Sequence, residues 1–309
     1  MVRAETLAPA ETAIGARHEQ AALGLAAVMP RLVVAARRTA ATVMHGLHGR
    51  RRAGAGENFW QFRRFSSGEP AGRIDWRRSA RDDHLYVRER EWEAAHTVWL
   101  WIDRSRSMAY RSDLAADAKI ERAIVLALAS AELLVRGGER AGLLGLGRPT
   151  ASRRAVELLA ETLALAPADE TGVPPATPIA PLSEAVLIGD FLAPIEETHA
   201  ALNGLAARGA RGHLVVVSDP VEDAFPFAGR TELRDPEAGT RFTAGRAQDL
   251  KADYAARLDR HREALRSAAA PLGWDVAFHR TDRSAAEALL ALHARFGERP
   301  AGLIVERAR

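Results

Sequence analysis

The sequence contains no cysteine, and only two of its 43 basic residues are lysines, Lys119 and Lys251. The absence of cysteine excludes disulfides, zinc–thiolate sites and thiol catalysis, and it favours a cytoplasmic location. No glycine-rich loop ending in Gly-Lys-Ser/Thr and no Gly-x-Ser-x-Gly turn occurs, so neither ATP hydrolysis nor serine-hydrolase chemistry is indicated. We therefore expect a protein that is not an enzyme.

Long apolar runs are also missing. The two most apolar windows, 21–36 and 124–135, are shorter than the roughly 20 residues that a helix needs to cross a bilayer. The first fifteen residues carry acidic groups and lack the long apolar core of a signal peptide. We therefore expect no membrane span.

Arginine is abundant, and it is concentrated in one region. Between Arg31 and Arg90, 14 arginines stand against 6 acidic residues, although the net charge of the whole chain is only +3. Such a region can bind nucleic acid, an anionic surface or an acidic protein, or its arginines can pair within the fold. We interpret residues 1–96 as an Arg-rich N-terminal extension that contains helices and short strands, with two helices separated at Pro30.

From Thr97 onward, apolar runs that resemble buried strands alternate with amphipathic helices. This alternation is typical of an α/β fold with a doubly wound, mainly parallel sheet, which we place at residues 97–309. We also expect a β-hairpin inserted at about 224–244, where proline and glycine punctuate the chain. Strands are predicted at 97–103, 141–146, 185–190, 213–218 and 274–278, and helices at 115–136, 151–165, 195–208, 246–269 and 284–296.

Three of the predicted strands end in an aspartate or are followed directly by one: Asp103, Asp190 and Asp219. The carboxyl ends of parallel strands meet at one edge of the sheet, where ligands bind. Asp103 is followed by Ser105 and Ser107, and carboxylate and hydroxyl oxygens suit Mg²⁺ or Mn²⁺. We predict a metal site formed by Asp103, Ser105, Ser107 and Asp190. The alternative is that each aspartate caps the helix or loop that follows it.

Two sets of motifs carry a resemblance to known families. The Asp-x-Ser-x-Ser pattern that starts at Asp103 resembles the metal-ion-dependent adhesion site of von Willebrand factor A domains. Upstream motifs resemble the bacterial family called domain of unknown function 58, and the resemblance extends over roughly residues 45–290. These motifs are Gly54–Phe59, Arg63–Phe65, the run R-I-D-W-R-R-S-A-R from Arg73 to Arg81, and Leu85–Val87.

The resemblance has implications for the fold, the site and the partners. It implies a von Willebrand A-like domain whose metal site also takes a threonine, for which Thr150, Thr171 and Thr177 are candidates. Members of the family are commonly encoded beside MoxR-type AAA+ ATPases. We therefore expect a non-enzymatic protein-interaction adaptor that acts with such an ATPase and a client protein in complex assembly or maturation. Two alternatives stay open: a metal-free scaffold of the same fold, and a nucleic-acid or anionic-surface binder that uses the arginines of residues 31–90, with nucleic acid the less favoured partner.

Overall fold

The computed structural model of the protein describes residues 10–48, 61–66, 69–81, 83–89, 96–167, 171–175, 179–181 and 183–297. The chain forms two compact units. One contains the residues up to His45 together with those from His96 onward, and the other contains residues 46–95. The division differs from the expected boundary after residue 96, because the N-terminal helix belongs to the α/β unit.

The N-terminal helix α1 (Ala10–His48) continues through Pro30 without interruption. The two helices expected on either side of this proline are therefore one. Proline removes a backbone hydrogen bond and strains the preceding turn, but an apolar stripe at helical spacing, which begins directly before the proline and continues after it, is buried. The buried residues of this stripe are Met29, Leu32, Ala36, Ala40 and Val43.

The smaller unit is built around an antiparallel pair, β1 (Gln61–Arg64) with β2 (Tyr86–Glu89), and a short helix α2 (Trp76–Ser79). Asp75 caps α2, because its Oδ1 accepts a hydrogen bond from the Arg78 amide at 3.0 Å. The Arg78 guanidinium lies 4.5 Å from the centre of the Tyr86 ring. The Arg-Ile-Asp-Trp motif thus forms a capped turn, and Arg78, two positions after its tryptophan, packs on β2.

The larger unit contains a five-stranded parallel sheet in the order β4-β3-β5-β6-β9. This order confirms the predicted doubly wound α/β fold, because the chain extends from β3 first to one side of the sheet and then to the other. The strands of the unit are β3 (Thr97–Ile102), β4 (Arg140–Leu143), β5 (Glu184–Gly189), β6 (Arg211–Ser218), β7 (Thr231–Arg234), β8 (Arg241–Ala244) and β9 (Asp275–Arg280).

Helices cover both faces of this sheet. They are α3 (Lys119–Arg136), α4 (Ala155–Leu165), α5 (Ile195–Ala206), α6 (Pro220–Ala224), α7 (Lys251–Ala269) and α8 (Ala285–Gly297). Helix α3 packs against α4 and α8, whereas α5 packs against α7. Arg31 and Arg37 of α1 form ion pairs with Glu121 of α3 and Glu157 of α4. Helix α3 is therefore buried along most of its length.

The expected hairpin is also present. Strands β7 and β8 pair antiparallel, with Thr231 opposite Ala244 and Arg234 opposite Arg241. In these two strands only Ala244 is buried, so the hairpin projects from the domain rather than joining its core. Among the helices that the structure describes, none has both the length and the apolar character required to cross a membrane.

Candidate functional site

The aspartates that follow β3, β5 and β6 lie at the carboxyl edge of the sheet, as the strand pattern predicts. Asp103 and Asp219 are 0% exposed, and Asp190 is 5% exposed. The strand order switches between β3 and β5, so Asp103 and Asp190 flank the place where open sheets of this kind bind ligands. The three carboxylates have different hydrogen-bonding partners. We use this difference to divide the edge into two parts.

The first part is the serine loop, residues Asp103–Ser107. Oδ1 of Asp103 accepts a hydrogen bond from the Ser105 amide at 2.9 Å. The hydroxyl oxygens of Ser105 and Ser107 lie 3.1 Å apart, and both residues are 7% exposed. Adjacent ligands of an octahedral Mg²⁺ ion are separated by about 3 Å, because each metal–oxygen distance is about 2.1 Å. The two hydroxyls are hydrogen bonded to each other, and the same distance matches the spacing of neighbouring metal ligands.

Two glycines pack closely around the serine loop. A Cβ atom at Gly189 would lie 2.7 Å from the Cβ of Asp103, and one at Gly172 would lie 3.5 Å from the hydroxyl oxygen of Ser105. Gly172 also has a φ of +61°, a conformation that glycine adopts most readily. Strand β5 and the segment 171–175 thus enclose Asp103 from two directions.

The three candidate threonines have different surroundings. Thr171 belongs to the segment that packs beside Asp103, whereas Thr150 forms an isolated bridge with Ala141 of β4. The Thr150 hydroxyl accepts a hydrogen bond from the Ser152 amide at 3.1 Å. Thr177 lies outside the described residues. Of the two described candidates, Thr171 is therefore the one whose segment adjoins the serine loop.

Asp190 has partners other than the serines. The Nζ of Lys119 donates hydrogen bonds to Asp190 Oδ2 at 2.9 Å and to Glu222 Oε1 at 2.6 Å. The amide of Leu192 donates to Asp190 Oδ1 at 3.2 Å. Phe191 lies between Asp190 and Leu192 in the chain and is buried. Its φ of 52° is strained for a residue other than glycine, so the chain turns sharply immediately after Asp190. The structure does not bring Asp190 into hydrogen-bonding contact with Ser105 or Ser107.

Lys119 is fully buried and was not identified from the sequence. Burial acts to lower its pKa, but the charges and hydrogen bonds of Asp190 and Glu222 outweigh this effect and raise the pKa above its ordinary value. The lysine is therefore a permanent internal cation. The sequence shows only that it is one of two lysines, because the helix was expected to begin at 115; the structure shows that Lys119 stands at the first position of α3, where a positive charge is unfavourable.

Asp219 confirms the alternative interpretation of a strand-end aspartate. Its Oδ1 accepts a hydrogen bond from the Val221 amide at 2.9 Å and so caps α6. In return, Oε2 of Glu222 accepts a hydrogen bond from the Asp219 amide at 2.8 Å. Its Oδ2 accepts a hydrogen bond from the Ser112 amide at 2.9 Å. Lys119, Asp190, Asp219 and Glu222 form the second part of the edge, which we call the buried charge cluster.

One further carboxylate reaches the serine loop. Oε1 of Glu237, in the turn between β7 and β8, accepts a hydrogen bond from the Ser107 amide at 2.7 Å. Within the described residues, no group of three or more histidine, aspartate or glutamate side chains is arranged to hold a metal ion. A cation at this edge would therefore depend on the serine hydroxyls, which are suitable ligands for Mg²⁺.

Comparisons with known proteins agree with the family that the motifs indicate. The model of the family described as "Protein of unknown function DUF58" matches residues 61–264. "Uncharacterized protein Rv1480" of Mycobacterium tuberculosis and "Uncharacterized protein Mb1516" of Mycobacterium bovis are each 27% identical to this chain over 277 residues, which is 84% of this chain and 86% of the relative.

Two solved structures from Bacteroides are also similar to this chain. They are an aerotolerance-related membrane protein from Bacteroides fragilis, with a TM-score of 0.39, and the conserved hypothetical protein BatB from Bacteroides thetaiotaomicron, with a TM-score of 0.38. Each is 14% identical and covers 66% of this chain and 100% of its own. Because the family model matches more than half of the chain, the protein belongs to the DUF58 family.

Proposed function

We propose that the protein is a non-enzymatic adaptor that binds an acidic segment of a partner protein at the serine loop, through a Mg²⁺ or Mn²⁺ ion. The observation that carries this proposal is the pair of hydroxyls of Ser105 and Ser107, 3.1 Å apart beside the buried carboxylate of Asp103. A hard cation held largely by neutral oxygens keeps most of its positive charge, so it attracts a carboxylate from a partner.

The proposal assigns different roles to the four predicted site residues. Ser105 and Ser107 would be direct ligands, and Asp103 would supply the negative charge that holds the ion beside them. Asp190 already shares its carboxylate with Lys119 and the Leu192 amide, so we assign it an indirect role through a bound water molecule. Thr171 is the candidate for the threonine that a von Willebrand A-like site would add.

The charge cluster supports binding rather than catalysis. Lys119 donates hydrogen bonds to both Asp190 and Glu222, and Lys119 and Asp190 are buried, so the cluster is poorly placed to exchange protons with a substrate. We infer a MoxR-type AAA+ ATPase as the partner, and a client protein whose assembly or maturation the pair would assist, because members of the family that the motifs resemble are commonly encoded beside such ATPases. The lack of cysteine supports a cytoplasmic location for this complex.

Calorimetric titration with Mg²⁺ and with Mn²⁺ tests the metal site. We expect saturable binding to the wild type, its loss in Asp103→Ala, and its retention in Glu263→Ala, which removes an exposed carboxylate on α7. If the wild type produces no metal-dependent heat, the metal proposal is wrong and the metal-free scaffold takes its place. Recovery of an AAA+ ATPase from native extract in a pull-down, with and without EDTA, then tests the partner.

The nucleic-acid alternative depends on free arginines in residues 31–90. Arg31 and Arg37 are engaged in ion pairs with Glu121 and Glu157, which reduces the charge available to phosphates. The run Arg50–Arg52 lies outside the described residues. If this alternative holds, DNA retention should fall steeply with salt and should be lost when these three arginines are neutralised.

A further inference from the structure

The hairpin formed by β7 and β8 reaches the serine loop from a distant part of the sequence. Glu237 and Ser107 are separated by 130 positions, yet the Ser107 amide donates a hydrogen bond to Glu237 Oε1 at 2.7 Å. The hydroxyl of Ser107 belongs to the proposed pair of metal ligands. A carboxylate of this chain therefore already lies beside the position where a partner's carboxylate would bind.

The turn between β7 and β8 is shaped to present this carboxylate. Oδ1 of Asp235 accepts hydrogen bonds from the amides of Glu237 at 2.8 Å and Ala238 at 3.2 Å. The Gly239 amide bonds to the Asp235 carbonyl at 3.0 Å, and the Asp235 amide bonds to the Thr240 carbonyl at 2.9 Å. Because these bonds fix the backbone of residues 235–240, Glu237 extends from a defined position.

The rest of the hairpin is held only lightly. Phe242 is 57% exposed, and the ion pair between Glu232 and Arg241 is exposed on both sides. Of the residues in β7 and β8, Ala244 alone is buried. The turn can therefore leave the serine loop without disturbing the core of the domain.

We propose that Glu237 is an internal carboxylate ligand of the cation at Ser105 and Ser107, and that the hairpin occupies the position that a partner's acidic side chain must take. This inference rests on the proposed function, because it requires a cation at the serine loop. A divalent cation bound by two neutral hydroxyls attracts the nearest carboxylate, and Glu237 is fixed beside one of the two ligands. The site is then self-occupied, and a partner must displace the hairpin to bind.

Two variants of Glu237 separate its metal contact from its hydrogen bond. Glu237→Ala removes both, whereas Glu237→Gln keeps an oxygen that can accept from the Ser107 amide but is a weaker metal ligand. Glu232→Ala is the matched control, because Glu232 lies on the same hairpin and is exposed. The 309-residue chain is titrated with Mn²⁺ alone, and hydrogen exchange of residues 104–110 is measured without metal.

We expect the affinity for Mn²⁺ to fall roughly tenfold in Glu237→Ala and in Glu237→Gln, and to stay unchanged in the control. Exchange of residues 104–110 should be faster in Glu237→Ala but not in Glu237→Gln. Equal Mn²⁺ affinity in the wild type and Glu237→Ala overturns the inference and leaves the proposed function intact. Unchanged exchange in Glu237→Ala also overturns it, because the turn would then not hold the loop. Failure of the wild type to bind Mn²⁺ overturns both.

Discussion

The two parts of the sheet edge start from the same feature, an aspartate after a buried strand, and differ in what neutralises it. In the buried charge cluster, the carboxylate of Asp190 is paired with an internal cation, Lys119. In the serine loop, the carboxylate of Asp103 accepts a hydrogen bond from the Ser105 amide and lies beside two hydroxyls and two glycines. The comparison shows that the same kind of strand end can be held by a cation of the chain itself or set among amide and hydroxyl groups, and our proposal places a cation from solution only at the second.

Removing the internal cation should have the largest effect. Lys119→Met leaves the buried Asp190 and the partly exposed Glu222 without their positive partner, which we expect to lower the free energy of unfolding by about 3–5 kcal/mol. Chemical denaturation measures this change. The control is Arg241→Met, whose ion pair with Glu232 is exposed and should contribute less than about 1 kcal/mol. A similar small loss in both variants would show that the charge cluster does not stabilise the edge.

The pH dependence of stability should report on a buried histidine that belongs to neither part of the edge. His279 of β9 is 6% exposed, and its Nε2 accepts a hydrogen bond from Arg122 of α3 at 3.2 Å. Burial, and secondarily the charge of Arg122, lower the pKa of His279 from 6.5 to about 4. The unfolded chain therefore binds a proton at a higher pH than the folded one does. The contribution of the neutral His279 to the free energy of unfolding is therefore fully present above pH 6.5. It is lost as the pH falls toward 4, and the total loss is about 3 kcal/mol.

Urea denaturation of the wild type and of His279→Gln at a series of pH values measures this contribution. The wild type should lose more stability than the variant between pH 6.5 and pH 4, because only the wild type carries the buried imidazole. Curves that remain parallel over this range would contradict the assigned cause.

Patterns within the sequence predicted the sheet and the positions of its strand ends, because buried strands have a simple signature and parallel strands align their carboxyl ends. Contacts between distant residues were not predictable in this way. Lys119 and Asp190 are 71 positions apart, and Glu237 reaches Ser107 through a hairpin whose turn residues predict its shape but not where it docks. The prediction that Pro30 separates two helices was wrong for a related reason. The burial of apolar residues of α1 outweighs the tendency of proline to end a helix.

The smallest expected effect concerns the glycine that separates the two parts of the edge. Gly189 precedes Asp190, and a side chain there would lie 2.7 Å from the Cβ of Asp103, whose amide is held by the Ile188 carbonyl at 2.9 Å. We expect Gly189→Ala to lower the free energy of unfolding by about 1–3 kcal/mol through overpacking. We also expect it to weaken Mn²⁺ binding, because Asp103 must shift. In Gly245→Ala the new Cβ meets no atom within 4 Å, so stability and Mn²⁺ affinity should stay at wild-type values. If Gly189→Ala reduces stability but leaves Mn²⁺ affinity unchanged, the position of Asp103 matters for packing alone and the serine loop loses its main distinction from the buried charge cluster.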